Sequence, residues 1–298
     1  MVLSPRPAAW LQCGRFRLSL ARPLVMGVVN LTPDSFSGDG LGGDPSAALR
    51  HAERLLDEGA DMLDVGAESS RPGAAPIADD EELRRLGPVV DRLVRWGVPI
   101  SIDTCKPRVM RAMLDAGADM INDILAFRAP GAVEAVASGE AALCVMHMRG
   151  SPQSMQADPR YGDVVADVRA FLHERVESLL ARGIARERLV ADPGFGFGKR
   201  LPHNLELLKD LADFADLHVP VLVGMSRKSM LGQMTGRPVG ERSAATVAAG
   251  LVAVLAGATL VRVHEAAPMR DALAVLAALR SMEQEKRGAI REQTLFRD

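Results

Sequence analysis

Short apolar bursts recur along the whole chain. They are Leu24–Val29, Met62–Val65, Val98–Ile102, Met120–Ile124, Ala142–Met146, Leu189–Ala191, Val219–Val223 and Thr259–Val263. Most are rich in Val, Ile, Leu or Met and show no polar alternation, which suits strands buried on both faces. Between them apolar residues fall at helical spacing, as in Ala48, Leu49, Ala52, Leu55 and Leu56. Helices are predicted over Pro45–Glu58, Asp79–Trp96, Pro107–Ala116, Ala129–Ser138, Val164–Ala181, Asn204–Leu217, Gly240–Leu255 and Ala267–Lys286. Eight strands alternating with eight helices predict a (β/α)8 TIM barrel. Trp10, Leu11, Phe16, Leu18 and Leu20 alternate loosely and predict a small N-terminal β-hairpin within 10–22 that caps the barrel bottom. No Pro/Gly/Ser linker divides the chain, so residues 1–298 read as one domain with its core at about 24–282; the charged tail after about 284 is expected to fray.

Uncommon polar residues cluster where these strands end. Asn30, Asp103, Asn122, His147, Asp192, Lys228, Arg262 and His264 all sit in or just after an apolar burst. In a barrel these ends share one rim, the rim on which such folds carry their chemistry. The opposite turns are plain: Gly59-Ala60, Gly117-Ala118 and Gly257-Ala258. Helix caps account for Ser, Asp and Asn in loops, but not for Asn122, Asp192, Lys228 and Arg262 beside apolar strands, so the pattern points to an enzyme.

Composition narrows the chemistry. The 298 residues carry 36 Lys and Arg against 38 Asp and Glu, a net charge of -2, which gives no basic footprint for nucleic acid. No long uncharged apolar run predicts a membrane span, and the opening Met-Val-Leu-Ser-Pro-Arg-Pro lacks the apolar region of a leader. Three cysteines, Cys13, Cys105 and Cys144, fit no metal spacing and suggest free thiols in a reducing cytoplasm. Gly194-Phe195-Gly196-Phe197-Gly198-Lys199 is neither a dinucleotide fingerprint nor a P-loop; its glycines are expected to admit a ligand close to the backbone, with Phe197 as a wall. Asp103 and Asp192 can each take two parallel N–H bonds from a flat heterocycle. Arg262 and His264 share one face of the last strand and suit a diphosphate, with Asn30 as a ligand to Mg²⁺. The Gly-rich stretch 30–43 reads as a lid. His147, between Met146 and Met148, is expected to be a satisfied wall histidine.

Six ordered motifs carry a family resemblance: Met-Gly-Val-Val-Asn-Leu-Thr-Pro-Asp-Ser-Phe-Ser (26–37), Asp-Val-Gly-Ala-Glu-Ser-Ser-Arg-Pro-Gly-Ala (64–74), Ile-Ser-Ile-Asp-Thr (100–104), Asp-Pro-Gly-Phe-Gly-Phe-Gly-Lys (192–199), Ser-Arg-Lys-Ser (226–229) and Arg-Val-His (262–264). Together they resemble the dihydropteroate synthases of the pterin-binding superfamily. The resemblance implies Mg²⁺-dependent condensation of 7,8-dihydropterin-6-ylmethyl diphosphate with p-aminobenzoate in folate biosynthesis, in a homodimer that sulfonamides inhibit. It implies that Asp103, Asn122, Asp192 and Lys228 hold the pterin. Asn30, Arg262 and His264 would hold the diphosphate, with Asn30 also on the metal. Ser70, Arg71, Pro72, Phe197 and Ser226 would shape the p-aminobenzoate pocket, and Asp34, Lys228, Arg262 and His264 would carry the catalytic roles. Ser70 stands where the family usually has Thr. A pterin-dependent methyltransferase domain and a non-catalytic pterin binder are the competing readings.

Overall fold

The computed structural model describes residues 9–32, 44–70 and 73–295, with side chains up to residue 282. Two short strands, β1 (Trp10–Cys13) and β2 (Phe16–Ser19), pair antiparallel as the expected hairpin. Eight further strands follow, β3 (Leu24–Asn30), β4 (Met62–Gly66), β5 (Ile100–Asp103), β6 (Met120–Asp123), β7 (Ala142–Met146), β8 (Leu189–Asp192), β9 (Leu222–Val223) and β10 (Leu260–Val263). They form one parallel sheet in the order β8-β7-β6-β5-β4-β3-β10-β9. The ring is completed between β8 and β9 by a single parallel bridge, Ala191 to Val221, with Ala191 N donating to Pro220 O at 2.9 Å. The predicted strand 219–223 is shorter than expected because Pro220 has no N–H to give to a ladder.

Helices surround the sheet: α1 (Pro45–Asp57), α2 (Asp79–Leu93), α3 (Pro107–Asp115), α4 (Ala132–Val136), α5 (Val164–Ala181), α6 (Leu201–Lys209), α7 (Ser229–Thr235), α8 (Ser243–Leu255) and α9 (Ala266–Leu295). Four differ from expectation, α4 being half the predicted 129–138. The predicted helix 204–217 splits into α6 and a 3₁₀ segment, Leu211–Leu217, whose buried Leu211, Phe214 and Leu217 recur every third residue, the 3₁₀ period. The seven-residue α7 is too short to show an apolar period. The backbone of α9 stays helical to Leu295 where the charged tail was expected to fray. Among the described residues no helix is long and apolar enough to cross a membrane.

Two apolar layers result. The larger lies between sheet and helices and includes Val65, Ile102, Ile121, Val145 and Leu172. The smaller fills the lower barrel: Met26, Met62, Met120, Cys144, Val190, Leu222 and Leu260 meet Leu11, Cys13 and Leu20 from the hairpin. The hairpin is fastened from outside by Arg15, whose Nε and Nη2 donate to the two carboxylate oxygens of Asp119 at 3.0 and 2.9 Å. Gly14 N donates to Glu140 O at 2.9 Å. The hairpin therefore plugs one end of the barrel, and the upper end is left as the mouth.

Candidate active site

The strands deliver their polar residues to that mouth by the two-residue period of a pleated strand. Asp64 lies within β4 and Asp103 ends β5; Asn122 lies within β6, Asp192 ends β8, and Arg262 lies within β10. Arg262 is the hub. Its Nε donates to Asp64 Oδ2 at 2.6 Å and its Nη2 to Asp103 Oδ2 at 3.0 Å. Asn122 Nδ2 donates to the same Asp64 oxygen at 3.2 Å. Asp64 Oδ1, Asn122 Oδ1 and Ser101 Oγ are buried with no hydrogen-bond partner in the chain. Two of these three are pure acceptors, so the site is matched to a group that brings N–H or O–H donors.

Burial pushes the Asp103 carboxyl up to about 7, with Arg262 pulling it back and Asp64 adding to the rise. Asp192 is also raised by burial, opposed by Lys228. Burial lowers Lys228 to about 8, against the pull of Asp192. Burial alone would lower Arg262, but Asp64 and Asp103 outweigh it and keep the guanidinium charged. A cluster of acids and bases displaced toward neutrality at the end of a barrel is characteristic of a site that binds and reacts.

Lys228 precedes α7 and donates to Phe195 O, with its ammonium 4.5 Å from the centre of the Phe197 ring. Phe197 thus stands beside Lys228. The glycines around it also serve the chain itself. A Cβ on Gly194, at φ +70°, would lie 1.9 Å from His147 O, and one on Gly196 would lie 3.1 Å from Lys228 Cδ. On that side they admit the chain's own backbone and lysine. Asp192 also has a local duty, since its Oδ1 accepts from Gly194 N at 2.7 Å. Behind this loop Lys199 donates to Gly194 O at 2.9 Å and Phe197 O at 3.1 Å, and lies 2.9 Å from His147 Nδ1. Burial, reinforced by Lys199, holds His147 down to about 2, and its ring meets Phe171 edge-on at 5.0 Å. It is the neutral wall histidine that its flanking methionines suggested.

On the next strands Ser226 follows β9 and His264 follows β10. Ser226 Oγ accepts from His264 N at 3.2 Å and lies 2.9 Å from its Nδ1. Asn30 ends β3 opposite Gly66 of β4. Ser70 is half-buried in the loop after β4. Asp34, Arg71 and Pro72 lie outside the described residues. The barrel therefore gathers Asp103, Asn122, Asp192, Lys228, Arg262 and Phe197 around one mouth, with Ser226 and His264 paired beside them. Asp64 is the central residue missing from the candidate set. A carboxylate two positions after Met62, on the inward side of an apolar strand, was the available signal.

The family model described as pterin binding enzyme matches residues 26–264. The chain is 45% identical over 271 residues to the dihydropteroate synthase of Escherichia coli (strain K12), a match covering 91% of this chain and 96% of that protein. It superposes on Burkholderia cenocepacia dihydropteroate synthase complexed with 7,8-dihydropteroate with a TM-score of 0.86 and 52% identity, covering 96% of this chain and 100% of the other. Xanthomonas albilineans dihydropteroate synthase with 4-aminobenzoic acid gives a TM-score of 0.86 and 49% identity, covering 92% and 98%.

Proposed function

Since the chain belongs to the pterin-binding enzymes and, within them, to the dihydropteroate synthases, we infer that it condenses 7,8-dihydropterin-6-ylmethyl diphosphate with p-aminobenzoate to give 7,8-dihydropteroate and diphosphate. The observation that carries this reading is the Arg262 hub, which holds Asp64, Asp103 and Asn122 together at the end of four strands with acceptors to spare. A 2-aminopyrimidinone edge supplies the matching donors. Asp103, Asn122 and Asp192 accept them, and Lys228 gives a donor to the opposite side of the ring system.

The reaction breaks the bond between the pterin methylene and the diphosphate oxygen and forms a bond from that carbon to the arylamine nitrogen. The nitrogen then loses its proton to solvent. Departure of diphosphate leaves positive charge on the pterin, and the carboxylates of Asp103 and Asp192 favour that charge over the neutral substrate. An arylamine is weakly basic and attacks without a strong base. Arg262 and His264 face the departing diphosphate, and Ser70, Phe197 and Ser226 shape the arylamine pocket. Asp34, Arg71 and Pro72 take the roles implied by the family motifs.

The donor set suits Mg²⁺. The oxygen ligand from the chain would be Asn30, which ends β3 at the mouth and is a hard donor of the kind Mg²⁺ takes. Mg²⁺ binds readily through one protein ligand, waters and substrate phosphates. When bound it neutralises charge on the leaving diphosphate. A homodimer is supported by the exposed apolar residues Val252 on α8 and Val275, Leu279 and Met282 on α9, which are 47–64% exposed. The free cysteines support a reducing cytoplasm.

The decisive experiment gives the purified protein both substrates with Mg²⁺ and follows dihydropteroate and diphosphate together. Both products should appear in equal amounts and fade with a chelator, and a sulfonamide should compete with p-aminobenzoate. A folded protein that yields neither product refutes the reading.

A further inference from the structure

Lys106 immediately precedes α3 and belongs to none of the substrate contacts assigned above. Its ammonium donates to Glu82 Oε2 at 2.7 Å, to Ile77 O at 2.7 Å and to Glu68 Oε2. Glu82 is fully buried on α2, and the Lys106 side chain is only 16% exposed. Glu68 begins and Ile77 ends the loop that carries Ser70. One buried cation therefore grips both ends of that loop. Between the two grips the loop also touches a neighbouring surface loop, through Gly73 N to Pro152 O at 3.2 Å and Gln153 Nε2 to Ala74 O at 3.3 Å. The same cation is anchored to the pterin side. Lys106 N donates to Thr104 Oγ1 at 3.3 Å, Thr104 N donates to Asn122 O at 3.1 Å, and Thr104 directly follows Asp103.

We propose that Lys106 is a positioning residue for the arylamine substrate: by holding Glu68, Ile77 and Glu82 on one ammonium it sets where Ser70 stands relative to the pterin end of β5. The proposal rests on the synthase reading. Lysine suits the task because its three N–H donors match three acceptors arriving from different directions, which a planar guanidinium fork does not. The effect should be selective. The pterin residues are fixed by strands and by Arg262, whereas Ser70 is fixed through this loop.

The test compares wild type, Lys106→Met and Glu68→Gln. In Lys106→Met the KM for p-aminobenzoate should rise at least about tenfold, while calorimetric binding of 6-hydroxymethyl-7,8-dihydropterin stays within about twofold. Glu68→Gln keeps the ammonium on Glu82 and Ile77, so it should fold normally and raise the same KM about threefold. Lys106→Arg should rescue the effect only partly. An unchanged p-aminobenzoate KM in an active Glu68→Gln protein overturns the proposal, as does an equal loss for both substrates in the variants. If Lys106→Met does not fold, Glu68→Gln decides. A wild-type protein that makes no dihydropteroate sinks the synthase reading first, and the Lys106 role falls with it.

Discussion

On four strands of the barrel, two residues separate the plug from the mouth. Met62 is followed on the inward face by Asp64, Met120 by Asn122, Val190 by Asp192 and Leu260 by Arg262. Below this step the interior is apolar and closed by Leu11, Cys13 and Leu20. Above it the interior is charged and incompletely paired. The lower layer needs only complementary shape, because apolar surface is stabilised by burial without regard to direction. The upper layer needs each charge to meet a partner, since an isolated buried charge is costly. The ring can carry the mouth because the plug, together with the sheet–helix layer, supplies stability that the mouth does not.

Three experiments sharpen or break this division. Arg262→Leu should have the largest effect. It leaves Asp64 buried without its cation, so urea melts should show a loss of about 3–5 kcal/mol, and diphosphate release should vanish. A loss below about 1 kcal/mol would mean that the mouth is not held together by its charges. Leu11→Ala should cost about 2–4 kcal/mol by opening a void in the plug, with pterin affinity unchanged. A parallel fall in affinity would show that the two layers are one unit. The smallest effect concerns pH. Burial lifts Asp103 to about 7, so in the ligand-free protein its neutral form persists to near-neutral pH. The pterin requires the carboxylate, so calorimetric affinity for a hydroxymethyl-dihydropterin should fall as pH drops through about 7. Affinity should also fall above about 8 as Lys228 loses its proton. Asp103→Asn should weaken binding more than tenfold at neutral pH and flatten the acid limb; an unchanged acid limb would assign it to another group.

The barrel was legible because each strand is a compact apolar burst and the longer helices between them carry apolar residues at helical spacing. Legibility failed where local chemistry competed with the pattern, as at Pro220, which trims β9, and at the three-residue spacing of Leu211, Phe214 and Leu217. For the site, the individual residues were visible but their partners were not. Arg262 and Asp64 are 198 positions apart, and only ring closure makes them neighbours. The partners of Lys106 and Lys199 include backbone carbonyls, which no residue type announces, so their roles emerge only from the fold. The glycines after Asp192 were read toward a ligand, and the sequence did not show that Gly194 also makes room for His147 O on the neighbouring strand-end loop.

The hairpin plug has a consequence for how the molecule is made. It is translated ahead of the whole ring, yet Arg15 must wait for Asp119, and Leu11 shares its cluster with Leu260. A ribosome therefore releases the stopper long before there is a vessel to close. Its seating depends on contacts more than a hundred residues downstream, and distant pairing of this kind slows assembly.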